Sequence, residues 1–304
     1  MNIELTQPNE LLIKVQDNDG TVSFDPLKQQ VFGQRDMNLL CLYHGRKLYN
    51  ILADDHGLIV YNENKVVLGT ILTLDETALM RAMGKVAESI IVRRCRESLA
   101  LQKLWMFYGS GKAVRDEIAK SFTAVGTGFK STERHYPTAY NPQDTQRDII
   151  WIEKAGYHFS IYGSTSDRSK DAGLQIKISK GSMFYDLRKC LIEKTYEVPI
   201  VYFDLKNDYE KLFSSVMDNL QDESADSLRE RFISVREADE DAYFEAEYYT
   251  EMIQAVIDRR IKIEDLVRRA EVYPTFGSAI MATAMQSVVG TTLLLPSSGS
   301  SPLN

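Results

Sequence analysis

The amino-acid sequence predicts a mixed α/β fold, in which a β-rich N-terminal module precedes an α/β core and a helical C-terminal extension. Short apolar runs separated by turn residues fill the N-terminal quarter of the chain, a pattern typical of strands. A proline-free stretch with apolar residues at helical spacing begins after Asp75, and strands and helices follow up to residue 205. Beyond that point the pattern is helical and acidic, and the chain ends in a Ser-, Pro- and Gly-rich tail. We therefore expect boundaries at 1–74, 75–205 and 206–292, with a disordered tail at 293–304.

The N-terminal module is predicted to be a small antiparallel β-structure. Turn signals at Asp19-Gly20 and at 54–57 separate its apolar runs. The candidate strands are ELLIKVQ, TVSFD, NLLCLYH, KLYNILA, GLIVYN and VVLGTIL.

The core is predicted to begin with one long helix, capped by Asp75 and ended by the glycines at 109 and 111. A second helix is expected over 112–125, and a long polar segment follows over 126–147. Three strands are then expected, at Asp148–Glu153, Tyr157–Gly163 and 174–179. A helix over 182–196 and a buried strand over 198–205 complete the core.

Composition narrows the class of protein. The three cysteines are far apart and form no CxxC or Cys/His spacing, which argues against a disulfide scaffold and against a zinc site. The N-terminus lacks the basic and apolar segments of a signal peptide, and the most apolar late stretch is too polar for a good membrane span. We therefore expect a cytoplasmic protein that makes no membrane contact.

The charge of the chain is unevenly distributed. Its net charge of −7 disfavours a general nucleic-acid binder. Residues 76–135 nevertheless contain 11 Lys and Arg against 6 Asp and Glu, a balance of +5 that suits a phosphate backbone. Residues 205–271 contain 10 against 18, a balance of −8. The acidic half is either a solvated helical surface or a docking face for a protein partner or a second copy of the chain.

The strand at 174–179 has one polar face that the fold alone does not require. Because side chains alternate along a strand, Gln175, Lys177 and Ser179 share one face while apolar residues occupy the other. Asp148 opens a neighbouring predicted strand. A carboxylate, an amide oxygen and a backbone carbonyl beside an ammonium can hold Mg²⁺ and polarise a phosphodiester.

This arrangement resembles the PD-(D/E)xK nuclease superfamily. Its restriction-endonuclease-like core is a helix, an antiparallel three-strand meander, a helix and a last strand, and some branches use Gln-x-Lys in the motif. The resemblance covers roughly 76–205 and rests on Asp148 and Gln175-Ile176-Lys177, with Glu88 at the acidic position of the preceding helix. It implies Mg²⁺-dependent hydrolysis of DNA or RNA in a restriction, antiviral-defence or repair setting. Asp148 and Gln175 would be the metal ligands, and Lys177 and Glu88 would join them in catalysis.

Two features depart from the family pattern. Gln175 cannot ionise, so we expect weaker metal binding unless Glu88 compensates. The predicted strand Tyr157–Gly163 also lies between Asp148 and Gln175, whereas the family usually places the Asp on the strand directly before the Lys. The alternative is a non-catalytic subunit, such as a defence or mobile-element accessory protein, that binds nucleic acid or protein. Gln175 and Lys177 are then only the solvent face of a strand, and Glu88 is a surface helix residue with Arg81 or Lys85 on nearby turns.

The polar segment before Asp148 is a candidate nucleic-acid-binding loop. It contains cations interleaved with aromatic residues, a combination that suits phosphates and stacked bases. A surface loop with turn-forming prolines has the same composition. The candidate contacts are Lys130, Arg134, His135, Tyr136 and Arg147.

Overall fold

The computed structural model of the chain forms two compact units. One comprises residues 1–46 and 264–304, and the other comprises residues 47–263. The structure describes residues 11–16, 22–27, 44–61, 67–70, 76–153, 155–160, 171–180, 183–220, 223–263 and 266. Residues 38–43 of the strand predicted as NLLCLYH, the end of the strand predicted at 157–163, the helical stretch predicted after 266 and the tail at 293–304 lie outside the described residues; the last residue of NLLCLYH, His44, is helical. The four-part division predicted above stays a prediction.

The described strands form two hairpins and one larger sheet. The hairpins are β1–β2, Leu11–Gln16 with Val22–Leu27, and β3–β4, Ile59–Tyr61 with Val67–Thr70. The larger sheet contains β5 (Phe122–Gly126), β6 (Ile149–Glu153), β7 (Gly173–Ser179), β8 (Ile200–Asp204) and β9 (Phe232–Ser234).

The described helices are numbered in chain order. They are α1 (44–50, continued by a π-helical turn at Ile51–Asp55), α2 (Glu76–Glu97), α3 (Leu99–Ser110), α4 (Asp116–Ser121) and α5 (Lys130–His135). After β7 come α6 (Phe184–Ile192), α7 (Tyr209–Met217), α8 (Ala225–Arg231), α9 (Val235–Ala238) and α10 (Glu240–Ile257). None of the described helices is long and apolar enough to cross a membrane.

The five-stranded sheet is mixed, which confirms the predicted mixed α/β class. Strands β5, β6 and β7 are antiparallel neighbours, and β7, β8 and β9 run parallel to one another. Strand β6 pairs directly with β7, with Ile149 opposite Leu174 and Ile150 opposite Gly173. The strand predicted at 157–163 therefore does not separate them. In its described part it makes only isolated bridges, at His158 and Ser160.

Three predicted helices are wrong in extent, and one of them, predicted over 182–196, ends at Ile192. The helix predicted over 112–125 stops at Ser121, and Phe122–Gly126 forms β5 instead. The Phe-Thr-Ala-Val run has strong β propensity, and pairing with β6 decides its conformation. The long helix predicted to reach Tyr108 is broken at Ser98, which is extended and caps α3 by accepting the Leu101 N–H.

The strand predicted as KLYNILA is also wrong, because residues 47–55 are helical. Leu48, Ile51 and Leu52 are at most 1% exposed. Their spacing of three and four residues places them on one face of a helix. The short apolar run fits strand and helix equally well, and packing selects the helix.

Helix α2 brings its polar residues to the sheet. It packs on β5 and β7 and also contacts α10. The guanidinium of Arg93 is 2.6 Å from the carboxylate of Glu245, which joins α2 to α10 through a half-buried ion pair. A separate apolar cluster, which includes Leu187, Tyr202 and Phe213, packs α6 and α7 against β8 and β9.

Candidate functional site

Asp148 and Gln175 meet where β6 begins and β7 passes beside it. The Gln175 side-chain amide donates to Asp148 Oδ2 at 2.6 Å. The backbone N–H of Ile176 donates to the same oxygen at 2.7 Å. Gln175 is only 5% exposed, so its contact with Asp148 lies in the interior. The pair singled out in the sequence is therefore in direct contact.

The backbone of Asp148 is held from both sides. Its N–H donates to the Leu174 carbonyl at 2.9 Å, and its carbonyl accepts from Thr127 N at 2.9 Å. These two bonds tie the residue before β6 to β7 and to the residue after β5. They fix the point from which the Asp148 carboxylate projects. Gln175 is held in turn by donating its N–H to Pro199 O at 3.0 Å. Both side chains thus start from backbone positions set by strand pairing.

Glu88 reaches this site from α2 and is buried, in contrast to the alternative of a surface helix residue. It is 7% exposed, and the Lys85 ammonium is 3.0 and 3.2 Å from its two carboxylate oxygens. Lys85 precedes Glu88 by three residues, so the two side chains lie on one side of the helix. A buried carboxylate paired with a half-exposed ammonium is the result.

The two carboxylates share one electrostatic environment. The pKa of Glu88 is raised to about 7, because burial and the charge of Asp148 together outweigh the opposing effects of Lys85 and Lys177. Burial also raises the pKa of Asp148, against the Ile176 N–H and the charges of Lys177 and Lys85. The ionised forms of these two acids are disfavoured by burial, and that of Glu88 also by the charge of Asp148. A cation between them would favour the ionised form of both.

Lys177 lies close to an aromatic ring, that of Tyr196, which was not predicted to belong to the site. Its charge acts on both Glu88 and Asp148, and its ammonium is 5.1 Å from the centre of the Tyr196 ring. Tyr196 lies in the loop before β8, where Gln146 accepts from Glu197 N at 3.0 Å. The sequence pattern did not single out Tyr196, which packs against the apolar cluster around Leu187. Lys85 was expected only as a surface neighbour of Glu88, and it is instead the ion-pair partner of a buried carboxylate.

The site contains oxygen atoms that could ligate a divalent cation. The Gln175 Oε1 atom is buried and has no hydrogen-bond partner within the described residues. An amide oxygen left in this way on the side chain that contacts Asp148 is a ligand of the kind that Mg²⁺ accepts. In the described part of the chain no group of three His, Cys, Asp or Glu side chains is placed to hold a metal, so backbone oxygens and water would complete the shell.

Two of the predicted nucleic-acid contacts, Lys130 and Tyr136, have partners within the protein. Lys130, Arg134 and His135 lie on α5, where Lys130 pairs with Glu133 at 2.9 Å. Tyr136 packs against a small apolar cluster around Ile150. The polar loop predicted over this region is thus partly helical. Their role in binding nucleic acid stays a prediction.

Arg147 is held in an internal network instead of standing free beside Asp148. Its guanidinium is 3.1 Å from Asp144 and 3.7 Å from Asp171. Its side chain is 17% exposed. This arrangement orients the loop that leads into Asp148, which is a structural role alongside the predicted phosphate contact.

The chain matches no protein-family model, no curated protein and no solved structure.

Proposed function

We propose that this protein is a metal-dependent nuclease that hydrolyses phosphodiester bonds of DNA or RNA. The observation that carries the proposal is the contact of Asp148 with Gln175 and with the backbone of Ile176. It joins the acid to the Gln-x-Lys segment, as the resemblance to the PD-(D/E)xK superfamily requires. The order of α2, the antiparallel strands β5–β7, α6 and the parallel strand β8 also agrees with the core of that superfamily.

Each residue of the site has a role that follows from its position. Asp148, Glu88 and the Gln175 side-chain oxygen would hold Mg²⁺, which supplies polarisation of the phosphodiester and a lower pKa for the attacking water. Lys177 carries a positive charge beside both carboxylates and would stabilise negative charge that develops on the phosphoryl oxygens. The strand pairing that fixes Asp148 and Gln175 keeps these groups in place before substrate arrives.

Cleavage assays on supercoiled plasmid, linear DNA and RNA test the proposal. The wild-type chain is expected to cut at least one of these substrates with Mg²⁺ or Mn²⁺ and to be inactive in EDTA. Asp148→Ala and Lys177→Ala are each expected to lower the rate at least about 100-fold, the size typical of a lost electrostatic contact to the transition state. Lys180→Ala is the matched control, since Lys180 follows the same strand and has Glu251 as its partner at 3.9 Å. Undiminished cutting by both site variants would end the assignment.

A second candidate function is a binding subunit that keeps the same architecture without chemistry. One observation favours it: Asp148 Oδ2 already accepts two hydrogen bonds, and Lys85 already neutralises Glu88. A site satisfied in this way is stable without a metal ion. Nucleic-acid binding by the wild-type chain, with no cleavage in any divalent cation, would favour this second function.

A further inference from the structure

The Lys85 ammonium lies across the carboxylate of Glu88. Its distances to Oε1 and Oε2 are 3.0 and 3.2 Å, so both oxygens of the acid face one cation. Lys85 also acts electrostatically on Asp148. The ammonium therefore lies where it neutralises the acid that a metal ion would need.

Lys85 competes with a metal ion for the negative charge of the two acids. Glu88 and Asp148 contribute two negative charges when ionised, and Lys85 and Lys177 contribute two positive charges. A divalent cation added to this neutral set would leave a double positive charge in a partly buried site, which is costly. If the Lys85 ammonium leaves, the cation, Lys177 and the two acids sum to +1, and one phosphodiester charge then brings the site to zero.

The surroundings of Lys85 allow its side chain to move while its backbone stays fixed. The side chain is 43% exposed, whereas that of Glu88 is 9% exposed. The backbone carbonyl of Lys85 accepts a hydrogen bond from His56 Nε2 at 2.8 Å. Burial lowers the pKa of His56 to about 3, so this ring is neutral at physiological pH. Its hydrogen bond to the Lys85 carbonyl therefore does not change with protonation. A long flexible stem on a fixed helix turn suits a charge that changes partners.

We propose that Lys85 is a displaceable counter-ion of the site: it neutralises Glu88 until a divalent cation binds, and it then contacts a second, neighbouring phosphate of the substrate. This inference rests on the proposed nuclease function, and it deepens that function by naming how the site is kept neutral between turnovers. Lys85 acts on the metal through Glu88, so it is a positioning residue.

Mn²⁺ affinity, measured by the loss of the free-ion electron paramagnetic resonance signal, tests the first half of the exchange. Lys85→Met and Lys85→Gln are expected to bind Mn²⁺ about threefold to tenfold more tightly than the wild-type chain, because a competing unit charge is removed from beside Glu88. The Gln variant keeps an N–H donor for the buried carboxylate, so it guards against misfolding. Lys85→Arg is expected to stay near wild type. Lys103→Met is the control, since Lys103 has comparable exposure and pairs with Asp116 at 2.6 Å.

The salt dependence of binding to a DNA duplex tests the second half. In Ca²⁺, which is used to occupy the site without supporting cleavage, Lys85→Met is expected to lower the slope of log affinity against log salt by about 0.9, the loss of one phosphate contact. In EDTA the slopes of wild type and variant are expected to agree. Unchanged or weaker Mn²⁺ binding in both Lys85→Met and Lys85→Gln, or equal slopes in Ca²⁺, would overturn the counter-ion role alone. Failure of every variant and of the wild type to bind Mn²⁺ would overturn the proposed function with it.

Discussion

Replacing Gln175 by Glu restores the acid that the resemblance expects, and the structure predicts that this change destabilises the metal-free chain. The Gln175 amide donates to Asp148 at 2.6 Å inside the protein. A carboxylate at this position has no proton to donate at neutral pH, and it faces the like charge of Asp148. The mutation therefore replaces an attractive contact with a repulsive one.

The size of the effect follows from the contact that is lost. A hydrogen bond to a charged group contributes about 1.5–3 kcal/mol. Two like charges about 4 Å apart repel by about 4 kcal/mol at an effective dielectric constant near 20. The new carboxyl can instead take up a proton, and holding that proton at pH 7 costs about 4 kcal/mol. Since the protein adopts the less costly arrangement, we expect a loss of about 3–4 kcal/mol in the free energy of unfolding.

Urea denaturation at pH 7 in EDTA measures this loss, with Gln143→Glu as the control at an exposed position of the loop. The control is expected to change stability by less than about 0.5 kcal/mol, as surface substitutions usually do. In millimolar Mg²⁺ or Mn²⁺ the Gln175→Glu chain is expected to regain stability, because a cation that binds only the folded state stabilises it by mass action. A Gln175→Glu chain as stable as wild type in EDTA would refute the buried contact between Gln175 and Asp148.

Two further predictions concern the support of the site and the stability of the unit around it. Gly173→Ala is expected to cost about 1–3 kcal/mol of folding free energy through overpacking and to weaken Mn²⁺ binding. The new methyl group would lie 2.7 Å from the Arg147 side chain and 3.0 Å from Ile149 O, beside Asp148. Calorimetry and Mn²⁺ titration measure the two effects, and an unperturbed variant would contradict the tight β6–β7 contact. Hydrogen bonds from Arg231 lower the pKa of Glu223 from 4.5 to about 2, so Glu223 stabilises the folded state above pH 4.5 and loses that contribution as pH falls through about 2. Glu223→Gln is therefore expected to be less stable than wild type at pH 6 in urea denaturation, with the difference shrinking towards pH 2; a difference that is constant with pH would count against the Arg231 pair.

The sequence alone could predict the polar face of β7 and the acid beside it. Strict alternation places Gln175 and Lys177 together, and Asp148 opens the first apolar run that follows the polar loop. Alternation could not predict that β6 pairs with β7. The stretch around His158 and Ser160 has a strand-like pattern, yet its described part forms only isolated bridges.

The remaining differences arise where tertiary contacts decide local structure. Val114, Ile118 and Phe122 have helical spacing, yet Phe122 begins β5 because β6 offers it a partner. Glu88 fits a solvated helix face equally well by sequence, and only the packing of α2 on the sheet makes it buried. The sequence pattern did not single out Tyr196, which packs against the apolar cluster around Leu187.

The binding of Mn²⁺ to the wild-type and Asp148→Asn chains tests the proposed metal site most directly. The wild-type chain is expected to bind Mn²⁺ in competition with Mg²⁺, and Asp148→Asn to lose at least about tenfold in affinity, since an ionised oxygen ligand is removed. Asp116→Asn is the control, because Asp116 is half exposed and pairs with Lys103 on the surface. Equal Mn²⁺ binding by wild type, Asp148→Asn and Asp116→Asn would contradict a metal site at Asp148.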